Sequence, residues 1–226
     1  MVTTGFNNGG YRAKTEVLDL SIAEKFECQD WPDYPIAVDS ATIGLLGKKV
    51  LVCGGSTVIS DTDECYTINA KGTEFVTKMS QGRAQAASVN INKDTIWISG
   101  GRDDGLNYLS SSEFMTVGGS MTGPDLPIPI TFHMMVAISN DLTIVIGGLS
   151  PGSGILAQTF YYDHSSEQWV DGPTLNQARS EHAAGTVTDE VTIERLVVVS
   201  GGFDGSDAMK STEILQDGDW SLGIYY

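Results

Sequence analysis

Short runs of β-branched and apolar residues recur along the chain, and each run ends in two glycines. The runs VLVCGG, TIWISGG, TIVIGG and RLVVVSGG end at Gly55, Gly101, Gly148 and Gly202. Continuous apolar runs of this length favour strands that are buried on both faces. No segment sustains apolar residues at the i, i+3, i+4 and i+7 spacing of an amphipathic helix. The pattern therefore predicts an all-β protein.

The glycine pairs repeat with a period of about 50 residues. Their first members, Gly54, Gly100, Gly147 and Gly201, are 46, 47 and 54 residues apart, and a weaker copy at Gly5 lies 49 residues before Gly54. Glycine is required where φ is positive or where another backbone approaches too closely for a side chain. Repeats of this length are typical of propeller blades, each of which is a four-stranded sheet.

Three further strand-like segments keep phase with the glycine pairs. A run of small residues precedes each pair, a segment with a hydroxyl residue or glutamate follows it, and a large aromatic comes last. Phe75 takes the aromatic position in the second unit. We expect the small-residue strand to lie nearest the axis and the aromatic strand to lie outermost. The in-phase glutamates and tryptophans are Glu16, Glu113, Glu213, Trp31, Trp169 and Trp220.

These features together resemble the kelch-repeat family of β-propellers. The double glycine, the glutamate or aromatic strand after it and the spaced tryptophan carry the resemblance, which covers essentially the whole chain. It implies a single domain of about five four-stranded antiparallel blades that presents variable loops to another protein. The approximate units are 1–36, 37–82, 83–131, 132–180 and 181–226.

The first and last units are predicted to be incomplete. The first opens at its second strand, and the last stops just past Trp220, in its fourth strand. Propellers of this family usually close with more blades, and an open sheet edge exposes unpaired backbone groups. A fragment of a longer propeller is the favoured interpretation, and a five-bladed ring is the alternative.

Composition narrows the classes of partner. The 226 residues include 29 acidic and 13 basic side chains, which give a net charge of −16. Binding to nucleic acid depends on an excess of Lys and Arg that neutralises phosphates, so no nucleic-acid partner is expected. No apolar run approaches the roughly 20 residues of a membrane helix, so no membrane insertion is expected. The partner that the resemblance to the kelch family implies is another protein.

Motifs of catalysis are missing from the sequence. It contains no Gly-x-Ser-x-Gly elbow, phosphate-binding loop or HExxH zinc motif. His133 and His182 hold the same repeat position, which points to a structural role. We therefore expect no enzyme, catalytic residue or cofactor. The alternatives are a galactose-oxidase-like or other carbohydrate-active domain, and the substrate-receptor propeller of a ubiquitin ligase whose other domains are missing.

The loops after the double glycines differ between units and carry the candidate binding residues. Variable loops on a rigid scaffold are common binding sites. Their acids form either a hydrated acidic rim or a docking face for a basic partner. They lack the spacing of a calcium loop, so no metal site is expected. The candidates are Asp61, Asp63, Arg102, Asp103, Asp104, Asp204 and Asp207.

Two arginines hold equivalent positions in the repeat. Arg83 and Arg179 are 96 residues apart, about two repeat lengths, and each precedes a small-residue strand. We expect both to be structural residues that bond to loop carbonyls or to a neighbouring carboxylate.

The three cysteines leave the redox state open. Cys53 ends a second strand and Cys65 begins the third, so a hairpin between them places the two opposite each other. The sequence is compatible with two states. In one, Cys53 and Cys65 form a disulfide and Cys28 is the odd thiol, and in the other all three cysteines are reduced. The odd count and the lack of a signal peptide favour a cytoplasmic location, whereas the family resemblance favours an extracellular one.

Overall fold

The computed structural model describes residues 2–7, 10–18, 28–188 and 195–223. Within these ranges every sheet is antiparallel and there is no helix, which confirms the all-β prediction. Five sheets follow one another along the chain, and we number them blades 1 to 5. None of the described residues forms a helix that could span a membrane.

Blade 1 has three strands, and blades 2 to 5 have four each. Blade 1 contains β1 (Val2–Asn7), β2 (Gly10–Leu18) and β3 (Cys28–Trp31). Blade 2 contains β4 (Thr42–Leu46), β5 (Lys49–Cys53), β6 (Glu64–Asn69) and β7 (Gly72–Lys78). Blade 3 contains β8 (Ala87–Asn92), β9 (Thr95–Ser99), β10 (Ser112–Thr116) and β11 (Gly119–Thr122).

The last two blades follow the same order. Blade 4 contains β12 (Met134–Ala137), β13 (Leu142–Ile146), β16 (Thr159–Asp163) and β17 (Gln168–Asp171), with a small hairpin of β14 (Leu149–Ser150) and β15 (Gly154–Ile155) in its loop. Blade 5 contains β18 (Ala183–Thr188), β19 (Arg195–Ser200), β20 (Thr212–Gln216) and β21 (Asp219–Leu222). Blade 5 thus has all four strands, whereas the sequence suggested an incomplete last unit.

The small-residue strands line the axis and the apolar strands form the core. Strands β4, β8, β12 and β18 contact one another in that order, which places them innermost. Each main apolar cluster contains residues of two consecutive blades. Leu51 of blade 2 and Ile98 of blade 3 belong to one cluster, and Ile144 of blade 4 and Val199 of blade 5 belong to another. The second strands are therefore covered from both sides, which explains their continuous apolar runs.

Four residues around the axis, Ser40, Gln85, Phe132 and Glu181, form what we call the axial collar. Each lies just before the innermost strand of its blade and has a φ between 53° and 58°. The backbone N–H groups of Gln85, Phe132 and Glu181 donate to the carbonyl oxygen of the preceding collar residue at 3.0, 3.1 and 3.1 Å. These main-chain bonds join blades 2 to 5 in series.

Cys53 and Cys65 are directly opposed on β5 and β6. Their Cα atoms are 4.2 Å apart and the two side chains form a disulfide. Both cysteines are buried in the apolar cluster between blades 2 and 3, where they pack with Met79 and Met115. The side chain of Cys28 lies outside the described residues.

We expect protein purified without reductant to contain one titratable thiol per chain, that of Cys28. Closing a loop of this length stabilises the fold by about 3 kcal/mol in the chain-entropy model, so C53A/C65A should lower the free energy of unfolding by about that amount. Thiol titration in denaturant provides the count, and C28S should reduce it to zero. Three thiols in the wild-type chain would contradict the disulfide.

Candidate functional site

The loops after the four double glycines lie at one end of the blades, because β5, β9, β13 and β19 all run towards their glycines. We call this surface, formed by residues 54–63, 100–111, 147–158 and 201–211, the loop face. The turns between the first and second strands of each blade lie at the opposite end.

At the loop face, the double glycines of blades 2 to 4 lie directly against the connector that leads to the next blade. Every first glycine has a positive φ, and a Cβ at Gly100 or Gly147 would lie 2.5 Å from a carbonyl oxygen of the following connector. That distance is too short for a real Cβ contact, so only glycine fits. The second glycine donates its N–H to the same connector carbonyl at 2.9 Å in three pairs, Gly55 to Arg83, Gly101 to Ile130 and Gly148 to Arg179.

Arg83 and Arg179 each connect two blades. Their carbonyl groups accept from the preceding blade, and their side chains reach into the following one. The buried Arg83 guanidinium donates to the carbonyl oxygens of Gly100 at 3.0 Å and Ser111 at 2.8 Å, and it pairs with Glu113 at 3.2 Å. The Arg179 guanidinium repeats this pattern on Gly201, Ser211 and Glu213, with an ion-pair distance of 2.8 Å.

The in-phase glutamates accept from the connectors between blades. Glu113 accepts from the backbone N–H of Ser80 at 2.9 Å and from its hydroxyl at 2.8 Å. Glu213 accepts from the N–H groups of Asn176 and Gln177 at 2.6 and 3.1 Å. These carboxylates therefore secure the connector that arrives from the preceding blade.

A clamp of polar side chains joins the loops of blades 2 and 3. Arg102 donates to the carboxylate of Asp61 at 3.3 Å and to the hydroxyl of Ser56 at 3.1 Å. Ser56 also donates to Asp61, and the Asp61 N–H donates to the carboxylate of Asp104. Burial raises the pKa of Asp61, although Ser56 and Arg102 oppose the rise. Asp61 is thus buried in the structure and used to hold two loops together.

Most of the other candidate acids organise their own loops. Asp63 pairs with Lys78 at 3.0 Å. The Asn107 backbone and side chain donate to Asp103 and lower its pKa. The N–H groups of Asp207 and Ser206 lower the pKa of Asp204 in the same way. Within the described ranges no contact brings Asp204 or Asp207 to the clamp, so the seven candidates do not form one cluster.

Sequence reasoning missed the apolar tips of the loop face. Val58, Ile59 and Leu106 are 79%, 90% and 66% exposed. The hydroxyl of Thr57 accepts from the N–H groups of Ile59 at 3.1 Å and Ser60 at 3.0 Å, so the tip of the first loop is a closed turn. The available signal was a pair of β-branched apolar residues inside an otherwise polar loop, where they have no core to join.

The histidines are packed between blades or beside aromatic rings. Burial lowers the pKa of His133 to about 3 and that of His182 to about 4, so both are neutral at pH 7. The Nε2 atom of His133 lies 3.1 Å from the Ser99 hydroxyl. His164 lies 2.9 Å from the Thr143 hydroxyl, against the rings of Trp97 and Tyr162. No group of three or more His, Cys, Asp or Glu side chains that could hold a metal ion occurs in the part of the chain that the structure describes.

Comparison with known proteins assigns the repeat. No family model matches the chain. It is 25% identical over 146 residues to Beta-scruin of Limulus polyphemus, a kelch-repeat protein, and the match covers 62% of this chain but 16% of that protein. This similarity supports a kelch-repeat family for the chain. The solved structure of YjhT, a kelch-type propeller, superposes with a TM-score of 0.75 and 13% identity, over 93% of this chain and 83% of that one.

The kelch tryptophans lie on the outermost strands. Trp220 is buried, and its Nε1–H donates to the carbonyl oxygen of Pro173 in the connector from blade 4 at 3.0 Å. Trp169 packs against Trp97 across the interface of blades 3 and 4, with ring centroids 5.8 Å apart. Trp31 contacts the cluster between blades 1 and 2. Phe75, which replaces tryptophan in the kelch repeat of blade 2, is half exposed.

Proposed function

We propose that this kelch propeller is a non-enzymatic protein-interaction scaffold that binds another protein through the loop face. The observation that carries the proposal is the set of exposed apolar tips, Val58, Ile59 and Leu106, on loops that are closed by their own hydrogen bonds. Exposed apolar side chains that converge on one end of a domain are typical of protein interfaces.

The rigidity of the loops supports this role. The clamp of Arg102 on Asp61 and Ser56 fixes the loop of blade 2 against that of blade 3. A surface that is already ordered loses little conformational entropy on binding, and the loss of that entropy is a main cost of association. The exposed Asp104 and Asp207 give the rim of this surface an acidic character, which favours a partner with basic residues around an apolar centre.

We expect V58S/I59S to lose most of its bound partner, because the two most exposed apolar side chains of the loop face become polar. The experiment is affinity capture from cells that express the protein, with mass spectrometry of the bound proteins. V170S is the matched control, since Val170 is 54% exposed on the outer strand β17, away from the loop face. Equal capture by the wild type, V58S/I59S and V170S would contradict the proposal.

A further inference from the structure

A cleft of about 570 Å³ lies between blades 2 and 3, at the end opposite the loop face. Its walls are the β4–β5 turn, Thr67 of β6, residues 74–76 in the middle of β7 and the β10–β11 turn. Leu46 and Val76 provide apolar wall, and Phe75 and Val117 stand at the rim, 50% and 75% exposed. A volume between about 300 and 1,000 Å³ with mostly apolar walls is typical of small-molecule sites.

The cleft exists because blade 2 has a small residue where other blades have a large one. Thr67 pairs with Leu51 in the register of β6 and β5. The equivalent residues of the third strand are Phe114, Tyr161 and Ile214 in blades 3, 4 and 5. Replacing an aromatic ring by a threonine side chain leaves unfilled space between two rigid sheets.

The equivalent spaces between other blades support this explanation. Between blades 4 and 5 the corresponding cleft has Tyr161 in its wall, and its volume is about 330 Å³. Between blades 3 and 4 the rings of Trp97, Tyr162 and Trp169 pack together, with the Trp97 and Tyr162 centroids 5.1 Å apart. The larger of the two clefts thus lies next to Thr67.

Thr67 also has a hydroxyl group without a partner. Its side chain lines the cleft, the residue is 3% exposed, and Oγ1 makes no hydrogen bond. A buried hydroxyl that makes no hydrogen bond is unfavourable, since it has lost its water without a replacement. A polar group of a ligand that reaches Thr67 would satisfy it after rotation of the threonine side chain.

Two lysines, Lys48 and Lys49, line the cleft together with the carboxylate of Glu74. Lysines occupy three neighbouring turns of a chain whose net charge is −16. Lys49 is paired with Glu74 at 2.6 Å and Lys93 with Asp94 at 3.3 Å. Among the described residues no ion pair involves Lys48, which lines the cleft. An ammonium group at the mouth of an apolar cleft favours an anionic ligand.

We propose that this cleft binds a small aryl carboxylate. The aromatic ring takes the space that Phe114 and Tyr161 fill in the other blades, and packs on Leu46, Phe75 and Val76. The carboxylate pairs with the Lys48 ammonium group. A ring hydroxyl on the ligand can bond to Thr67 Oγ1 once the threonine side chain rotates towards the cleft, so a hydroxyphenyl acid suits the site better than a phenyl acid.

The test is titration calorimetry with 3-(4-hydroxyphenyl)propanoate. We expect a Kd of about 1 mM or below, in keeping with the affinity per atom of small ligands. T67Y should abolish binding, because tyrosine is the residue that the repeat already uses at this position in blade 4. K48Q should weaken binding about fivefold, the effect of an exposed ion pair. K14Q is the matched control and should bind like the wild type, since Lys14 lies in blade 1 and pairs with Asp30.

Two further measurements make the result decisive. The cation 3-phenylpropan-1-aminium has the same ring and opposite charge, and should bind at least about tenfold more weakly than 3-phenylpropanoate. V117D adds a carboxylate at the exposed rim without touching the core, and should also abolish binding if T67Y proves unstable. The proposal is overturned if the wild type does not bind the acids, if T67Y and V117D bind as well as the wild type, or if the amine binds equally well. No protein partner enters this experiment, so its outcome is independent of the loop face.

Discussion

G147A should destabilise the propeller by about 3 kcal/mol or more, whereas G201A should cost about half as much or less. Both glycines have a positive φ, 56° and 68°, so alanine suffers similar backbone strain at each. At Gly147 the added methyl group would also lie 2.5 Å from the Arg179 carbonyl oxygen and 3.0 Å from His182. At Gly201 the nearest atom would be 3.7 Å away.

Chemical denaturation of the two variants tests this prediction, because the difference between them isolates the contact between blades from the backbone strain. The strain of a non-glycine residue at positive φ is about 1–2 kcal/mol. If G147A and G201A lowered the free energy of unfolding by the same amount, the close approach of the connector carbonyl would not be what requires glycine at position 147.

R179M should lower the free energy of unfolding by about 3–5 kcal/mol. The substitution leaves the fully buried Glu213 carboxylate without its only cationic partner among the described residues, and it removes donors from the carbonyl oxygens of Gly201 and Ser211. R179K should recover part of the loss, because lysine keeps the charge but cannot present a planar fork of donors.

Two controls separate the buried ion pair from a general effect of losing a charge. R179M/E213Q should be more stable than R179M, since the unpaired carboxylate is gone. K49M breaks the exposed pair with Glu74 and should have a much smaller effect than R179M. If R179M were no worse than K49M, the arginine would not connect the blades as described.

The parts of the fold that depend on repeated side chains could be predicted from the sequence. The glycine pairs and the apolar second strands recur because every blade packs against its neighbour in the same way, and an arginine recurs at two of the connectors between blades. Position within the repeat was therefore enough to assign a strand to most segments and to place Arg83 and Arg179 near carbonyl groups or carboxylates.

Contacts that occur once in the molecule could not be predicted in this way. The burial of Asp61 depends on Arg102, which is 41 residues away and whose loop position is held by Ser56, Leu149 and Phe203 in the other blades. The cleft beside Thr67 depends on a single departure from the repeat, which becomes visible only when β6 is aligned with its neighbours by strand register. The axial collar left no trace in composition, because residues as different as serine, glutamine, phenylalanine and glutamate adopt the same backbone conformation there.

Because the collar position accepts different side chains, it places little constraint on how the sequence of the repeat evolves. The collar bonds join main-chain N–H and C=O groups only, so any copy of a unit that keeps the backbone geometry can bond to any other. Duplication or loss of a whole unit can therefore preserve these junctions without requiring a particular side chain at the collar position. The loops and clefts at the two ends of each blade are then free to diverge, while the number of blades can vary by unequal exchange within the repeat.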